Sequence, residues 1–331
     1  MEFISQHGPT GGLLSLAVTF LTYTVILFLC FEISRLFRVF DYRSFCDKLL
    51  GRAWFLYEIV IMVGMVITLA VVSTVAGTVM QDHFGVPIAL GTVLVLALVI
   101  TMNYLGRELI EKSMMLSVSA LFAVLFVVLY FVFRSSDGAL GQAFDEQVID
   151  LTGWKGALKY AIVGTGFLPL LLYCARGLRT RKESLIAALA AGLVTVVPAL
   201  AFHLAFMTQF PAITTQALPT YFLFEKSCPA WALNLYVIIL FVLICQTGVG
   251  VLQGFIERID VWREQKTGHP MTRLGHGLTA GFMMTVSLLL GSMGVVALIL
   301  RGYTVLSVSF LVVFTIPLLT WGVVLVFRRK S

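Results

Sequence analysis

The amino-acid sequence predicts an all-α polytopic membrane protein with about nine transmembrane helices. Hydrophobic residues make up 59% of the 331 residues and charged residues 12%, whereas soluble domains contain about 45–50% and about 25%. The apolar runs reach about 20 residues, which is the length that crosses a bilayer as a helix, and they lack the alternation of barrel strands. Basic residues also collect in alternate loops, as in polytopic helical proteins.

Nine apolar stretches are predicted to span the membrane, and together they make residues 1–331 a single transmembrane domain. The second and seventh stretches are too long to stand upright, so we expect them to be strongly tilted or to extend beyond the bilayer. The predicted spans are about 12–31, 53–80, 87–104, 113–133, 154–174, 184–206, 229–256, 274–300 and 304–327.

The basic residues predict the orientation. Most of the 23 Lys and Arg residues lie in the loops that follow the first, third, fifth and seventh spans and in the C-terminal tail. The positive-inside rule makes these segments cytoplasmic, so we expect the C-terminus inside and the N-terminus outside a bacterial cytoplasmic membrane. The net charge of +6 follows from these loops and does not indicate nucleic-acid binding.

The order of the spans predicts an inverted repeat. The first four spans (12–133) and the last four match in order at an offset of roughly 170 to 190 residues, which increases slowly along the chain. The odd helix 154–174 separates the two sets and begins the second repeat (154–327), so the repeats face opposite sides of the membrane. Its counterpart would precede Met1. Either the protein evolved without that helix, or the start codon is assigned too late, and we favour the second explanation.

The stretch 159–173, "KYAIVGTGFLPLLLY", predicts a broken helix at mid-membrane depth. Gly164 and Gly166 each weaken the helix by about 1 kcal/mol relative to alanine. Pro169 lacks an N–H group, so the carbonyl of Thr165, four residues earlier, loses its partner. Non-helical backbone at this depth is tolerated only against protein or a water-filled cavity.

An unwound turn offers carbonyl groups to a cation and N–H groups to an anion. We therefore predict a substrate site for an amino-acid-like solute at the turn formed by Gly164, Thr165, Gly166 and Phe167. In the alternative interpretation, the glycines let another helix pack closely and the proline is an ordinary kink.

Hydroxyl groups in two other spans are candidates for the same site. Thr19 and Tyr23 lie one turn apart and share a face of the first span, and Ser73 and Thr74 lie in the second span. We predict that they line the substrate cavity. Alternatively, such hydroxyl groups bond back to their own helix backbone.

Gln246 and Thr247 lie near the middle of the seventh span and are predicted to line the ion path, with an interhelical hydrogen bond as the alternative. Glu32 and Glu58 lie near the cytoplasmic ends of their spans. We predict that they form a gate, or that they pair with the basic residues nearby. No charged residue falls at the predicted midplane of a span, so coupling through carbonyl and hydroxyl groups, as for Na+, fits better than a proton relay.

No other cofactor and no metal site is predicted. The five cysteines are scattered and form neither a CxxC pair nor a Cys/His cluster. The sequence contains no HExxH, GxSxG or Walker A motif and no intramembrane Asp pair, so we predict that the protein is not an enzyme.

Four segments resemble the YkvI-type family of bacterial membrane proteins: "EFISQHGPTGGLL", "FEISRLFRVFDYRSF", "GTGFLPLLLY" and "CQTGVGVLQGFIERID". This family is grouped with the amino acid–polyamine–organocation superfamily. The resemblance implies a five-plus-five leucine-transporter fold in which helices one and six are unwound and hold the substrate. Helix 154–174 would be helix six, the span of Thr247 would be helix eight, and helix one would be missing.

Together these observations predict a secondary transporter of a small amino-acid-like or organic-cation solute, with alternating access and Na+ as the candidate coupling ion. Its predicted partners are this solute and the lipid bilayer. The alternatives are a transport-inactive binding or sensor protein of the same fold, a truncated non-functional form, and a channel-like pore.

Overall fold

A computed structural model of the chain describes residues 4–105, 107–136, 138–145, 150–216, 219–269, 271–291 and 298–328. All regular structure in these residues is helical. Among them, six helices are long and apolar enough to cross a membrane, and the number rises to eight when each of two bent helix pairs counts as one span. The predicted fold class, an all-α polytopic membrane protein, is therefore confirmed.

The α-helices are numbered along the chain. They are α1 (Gly8–Phe37), α2 (Tyr42–Leu50), α3 (Trp54–Phe84), α4 (Ile88–Leu105), α5 (Arg107–Arg134), α6 (Ala139–Asp145), α7 (Trp154–Gly166), α8 (Arg181–Met207), α9 (Pro219–Ser227), α10 (Ala230–Thr267), α11 (Arg273–Gly291), α12 (Tyr303–Phe310) and α13 (Val323–Arg328). A 3₁₀ segment, Leu168–Gly177, follows α7. Two π-helical segments, Leu311–Thr315 and Leu318–Gly322, lie between α12 and α13.

The helix ends carry the expected local signals. Asp41 caps α2 by accepting a hydrogen bond from the Ser44 amide at 2.8 Å. Thr180 caps α8 by accepting from the Glu183 amide at 3.2 Å. Each cap satisfies an N–H group that has no partner within its helix. Gly268 ends α10 with a positive φ of 74°, a conformation that glycine adopts without steric cost.

The observed helices follow the predicted spans with shifted ends. Helix α1 begins at Gly8, earlier than the predicted residue 12, and α10 extends eleven residues past the predicted end of its span. The predicted span 274–300 coincides with α11 up to Gly291, and part of its remainder lies outside the described residues. The predicted spans 113–133 and 154–174 both belong to the bent pairs.

The chain divides into two compact units. The first unit contains Met1–Ile61, Val132–Leu223 and Tyr303–Ser331, and the second contains Met62–Phe131 and Phe224–Gly302. The first unit therefore holds α1, α2, α6, α7, α8, α12 and α13, and the second holds α4, α10, α11 and most of α3 and α5. Helix α9 is divided between the two units.

In the first unit, α1 packs along α8 and α7, and α12 also packs against α7. Two glycines permit the close approach of α1 and α8. The Gly12 position faces the His203 ring, and the Gly192 position faces the Thr24 hydroxyl, so neither leaves room for a Cβ atom. Such small residues are typical of helix interfaces in membranes, where association depends on close packing.

In the second unit, α4 packs against α10 and α11. Gly77 lies against Thr92 and Ile88, which lets the end of α3 approach α4. Gly248 of α10 lies against Val72 and Val99 in the same way. Val72 and Val99 are both buried in the core of the second unit.

Candidate functional site

The candidate site is the break that follows α7. The segments Leu151–Gly166 and Leu168–Gly177 enclose an angle of 63°, so the chain changes direction at Phe167. Pro169 is buried at the second position of the 3₁₀ segment, where a missing N–H group costs no hydrogen bond within the helix. The break lies within the stretch for which the two glycines and the proline predict it.

A tyrosine hydroxyl group donates a hydrogen bond to a backbone carbonyl group at the break. The Tyr57 hydroxyl, on the first turns of α3, donates a hydrogen bond to the Gly166 carbonyl at 3.0 Å. The Tyr57 side chain is fully buried. Its ring centroid lies 6.3 Å from that of Phe310 and 5.9 Å from that of Phe314. A phenol therefore satisfies a carbonyl group at the break, inside a cage of aromatic rings.

The two glycines before the break also have a packing role. The Gly164 position faces the Tyr23 hydroxyl, and the Gly166 position faces the Phe310 ring, so a Cβ atom fits at neither position. The Phe167 ring meets Phe310 edge-on at 5.3 Å. The close-packing interpretation therefore applies to both glycines, and the helix is also broken after them.

Two predicted hydroxyl groups bond to their own helices. Thr165 is fully buried and its hydroxyl donates to the Ala161 carbonyl at 2.7 Å. The buried Thr19 hydroxyl donates to the Ser15 carbonyl at 2.8 Å. The first unit thus brings Tyr23 to Gly164 at the break, whereas Thr19 and Thr165 use their hydroxyl protons locally.

The predicted residues of α3 and α10 belong to the second unit. The Ser73 hydroxyl donates to the Leu69 carbonyl at 2.8 Å. The Thr74 hydroxyl donates to the Ala70 carbonyl at 2.8 Å and approaches the Gly291 carbonyl at 3.5 Å. Each hydroxyl therefore has a backbone partner in the second unit.

The residues predicted to bind the ion are neighbours on α10. The Thr247 side chain is exposed and its hydroxyl donates to the Leu243 carbonyl at 2.9 Å. Gln246 is half-buried. Their role in ion binding stays a prediction.

The predicted gate residue Glu32 is buried and paired. Arg35 donates two hydrogen bonds to its carboxylate, from Nε at 2.9 Å and from Nη2 at 2.6 Å. Arg35 also donates to the Arg179 carbonyl at 3.3 Å, which links α1 to the loop before α8. Glu58 is half-buried on α3. Pairing with a basic residue, the alternative to a gate, is thus observed for Glu32.

An aspartate outside the spans links two segments of the first unit. The Asp150 carboxylate accepts hydrogen bonds from His7 at 2.7 Å and from the Thr152 hydroxyl at 2.7 Å. The bond from His7, followed by the bonds from Thr152, lowers the pKa of Asp150 to about 2. The residue before α1 is thereby tied to the loop before α7.

The cage residues Tyr57, Phe310 and Phe314 are absent from the sequence-based prediction of the site. One signal was available, because a tyrosine within the apolar run that begins α3 needs a hydrogen-bond partner when it is buried. In the described part of the chain, no group of three His, Cys, Asp or Glu residues is arranged to hold a metal ion.

Solved structures of a membrane transporter resemble this chain. Two variants of the manganese transporter of Eremococcus coleocola match with TM-scores of 0.58 and 0.56, each at 14% identity over 97% of this chain and 73% of that chain. A third variant matches with a TM-score of 0.50, at 14% identity over 99% of this chain and 90% of that chain. No family model and no curated protein matches the chain. The protein therefore has a membrane-transporter fold.

Proposed function

We propose that the protein is a secondary transporter of a small amino-acid-like or organic-cation solute, which binds at the break after α7 and moves by alternating access. The observation that carries this proposal is the 63° break in an apolar span, with the Gly166 carbonyl inside a cage of aromatic rings. Broken helices with half-helix ends at the substrate site are a recurring feature of secondary transporters.

The chemistry of the cage favours an ammonium group. A carbonyl oxygen accepts a hydrogen bond from an ammonium group, and the faces of aromatic rings attract cations. In this packed state the Tyr57 hydroxyl donates to the Gly166 carbonyl. Alternating access would have to separate the packed rings before an ammonium group replaces this neutral donor at the same oxygen.

The solved relatives are named as manganese transporters, and at 14% identity their cargo does not transfer to this chain. Divalent manganese prefers carboxylate, carbonyl and water ligands. The cage around Gly166 offers one carbonyl and several rings, which suits an organic cation better. Manganese is therefore a comparison solute in the experiment below.

The inverted repeat is part of the proposal, as is membership of the YkvI-type family. In three of the four repeat pairs predicted from the sequence, both partners lie in the same compact unit. The pair α1 and α8 lies in the first unit, and the pairs α3 and α10 and α4 and α11 lie largely in the second. This grouping supports two related halves. We further propose Na+ coupling through Gln246 and Thr247, a gate at Glu32 and Glu58, and a cytoplasmic C-terminus.

Counterflow in proteoliposomes tests the proposed function. Vesicles are loaded with amino acids, small organic ammonium ions or Mn2+, and exchange of the labelled solute is compared with that of protein-free vesicles, with and without a Na+ gradient. We expect saturable exchange of one organic solute. Tight binding without exchange would support a sensor, and exchange that does not saturate would support a pore.

A further inference from the structure

A second concave site lies in the first unit, away from the break. A cavity of about 260 Å³ opens between the segment before α1, the middle of α7, the end of α8 and the start of α9. Its walls carry four rings and three hydroxyl groups. The rings belong to Tyr160, Phe202, His203 and Phe206, and the hydroxyl groups belong to Ser5, Tyr160 and Thr220. The rings of Phe202 and Phe206 lie side by side on α8, with centroids 5.9 Å apart.

His203 fixes the polar side of this cavity. The side chain is 1% exposed, and its Nε2 atom lies 3.0 Å from the Pro9 carbonyl. Because a carbonyl group only accepts, we assign the ring proton to Nε2. The other ring nitrogen, Nδ1, then accepts from the Ser5 hydroxyl at 2.9 Å. This arrangement leaves the lone pairs of the Ser5 oxygen available to a donor in the cavity.

The walls define the class of ligand. None of the lining residues that the structure describes is a Lys, Arg, Asp or Glu, so none of them offers a charged partner to a carboxylate. Aromatic faces attract an organic cation, and the hydroxyl groups can hydrogen-bond a polar substituent. An ammonium ion with apolar substituents therefore fits these walls better than a zwitterion does.

We propose that this cavity is a second binding site, for a small organic ammonium ion, which the solute occupies before it reaches the break. Tyr160 connects the two places: it lines the cavity and lies one helical turn before Gly164. Tyr23 in turn packs on Gly164. The route to the break rests on the proposed transport function, whereas binding in the cavity does not.

Choline and its neutral isostere 3,3-dimethylbutan-1-ol test the ligand class. The protein is reconstituted in nanodiscs, and binding of each probe is followed by saturation-transfer NMR. We expect choline to bind about tenfold more tightly than the isostere, which corresponds to the cation–ring attraction. Equal binding of the two probes would overturn the proposal. The absence of choline binding would overturn it as well, and this is the result expected if a lipid chain fills the cavity.

Variants test the location. Phe206→Leu and Tyr160→Leu should each weaken choline binding by severalfold, while Tyr160→Phe, which keeps the ring, should retain it. Tyr160 is 39% exposed, so its variants test the site if Phe206→Leu fails to fold. Phe126→Leu is the matched control, because Phe126 is 77% exposed and belongs to the second unit. Unchanged choline binding in Tyr160→Leu would overturn the proposal.

The binding test and the transport test can fail separately. Choline binding that depends on Tyr160, without any counterflow, would retain the cavity site and reject the proposed function. Counterflow of an organic solute, together with choline binding that is insensitive to Tyr160 and Phe206, would retain the function and reject this site.

Discussion

Gly164 and Gly166 weaken α7 because they lack a side chain, and the same property lets Tyr23 and Phe310 approach the helix. The weakening is a local property, so the sequence predicts it. The identity of the partners depends on which distant residues pack there: Tyr57 is 109 residues from Gly166, and an apolar pattern does not specify such a pair. The position of the break was therefore predictable, whereas its aromatic cage was not.

Gly166→Ala should destabilise the protein by about 1–3 kcal/mol, because a Cβ atom at this position meets the Phe310 ring in a filled core. Gly177→Ala is the control, since a Cβ atom there meets nothing within 4 Å. Unfolding temperatures in detergent measure both variants. Equal unfolding temperatures would contradict the packing role of Gly166.

Asp150→Asn should lower the unfolding temperature at pH 6, because the carboxylate accepts hydrogen bonds from His7 and Thr152. The folded-state pKa of about 2 lies below the ordinary value of about 3.9. The stability that the Asp150 carboxylate contributes is therefore present at pH values above its ordinary pKa, and it is lost as the pH falls toward the folded-state pKa. The difference between wild type and variant should shrink between pH 4 and pH 2; a difference that stays constant over this interval would contradict the assignment.

At the scale of the element, α7 and the 3₁₀ segment after it form one bent span. A 3₁₀ segment of ten residues is longer than usual, and its hydrogen bonds have poorer geometry than those of an α-helix. The Tyr57 hydroxyl supplies a hydrogen bond from another helix at the bend. Pro169 alone predicts a kink, and the additional change to 3₁₀ geometry was not foreseen.

We expect the amides of Leu168–Gly177 to exchange with solvent deuterium faster than those of α8, because the 3₁₀ segment has the weaker hydrogen bonds. A solute that binds at the break should slow this exchange. Hydrogen-exchange mass spectrometry in nanodiscs measures both effects, with α8 as the internal reference. Equal protection of the two segments would contradict the difference in local stability.

At the scale of the whole molecule, the sequence predicts the membrane class and the approximate spans, because apolar length and composition are enough for both. The division into two units was not predicted. It places Tyr23 and Gly166 in the first unit and Ser73 and Thr247 in the second. The contacts that define the two units join residues that are far apart in the sequence. Sequence periodicity carries no information about such contacts.

Native Cys174 provides a test of the predicted orientation. Its side chain is exposed on the 3₁₀ segment, next to a loop that the positive-inside rule places in the cytoplasm. A membrane-impermeant thiol reagent should label Cys174 in inside-out vesicles and not in right-side-out vesicles. Thr215→Cys in a Cys174→Ser background, on the opposite loop, should show the reverse pattern. The same pattern for both positions would contradict the topology.

The central claim is that the solute binds at the break. The most direct test is the affinity for the transported solute in the Tyr57→Phe variant. Tyr104→Phe is the control, because Tyr104 is exposed. Loss of the Tyr57 hydroxyl leaves the Gly166 carbonyl without its donor, which destabilises the empty protein by about 1–3 kcal/mol. A solute ammonium group then has no competitor for this carbonyl. We predict a lower unfolding temperature together with a half-saturating solute concentration that is lower by up to about tenfold. A lower unfolding temperature with unchanged or weaker solute affinity would contradict the account.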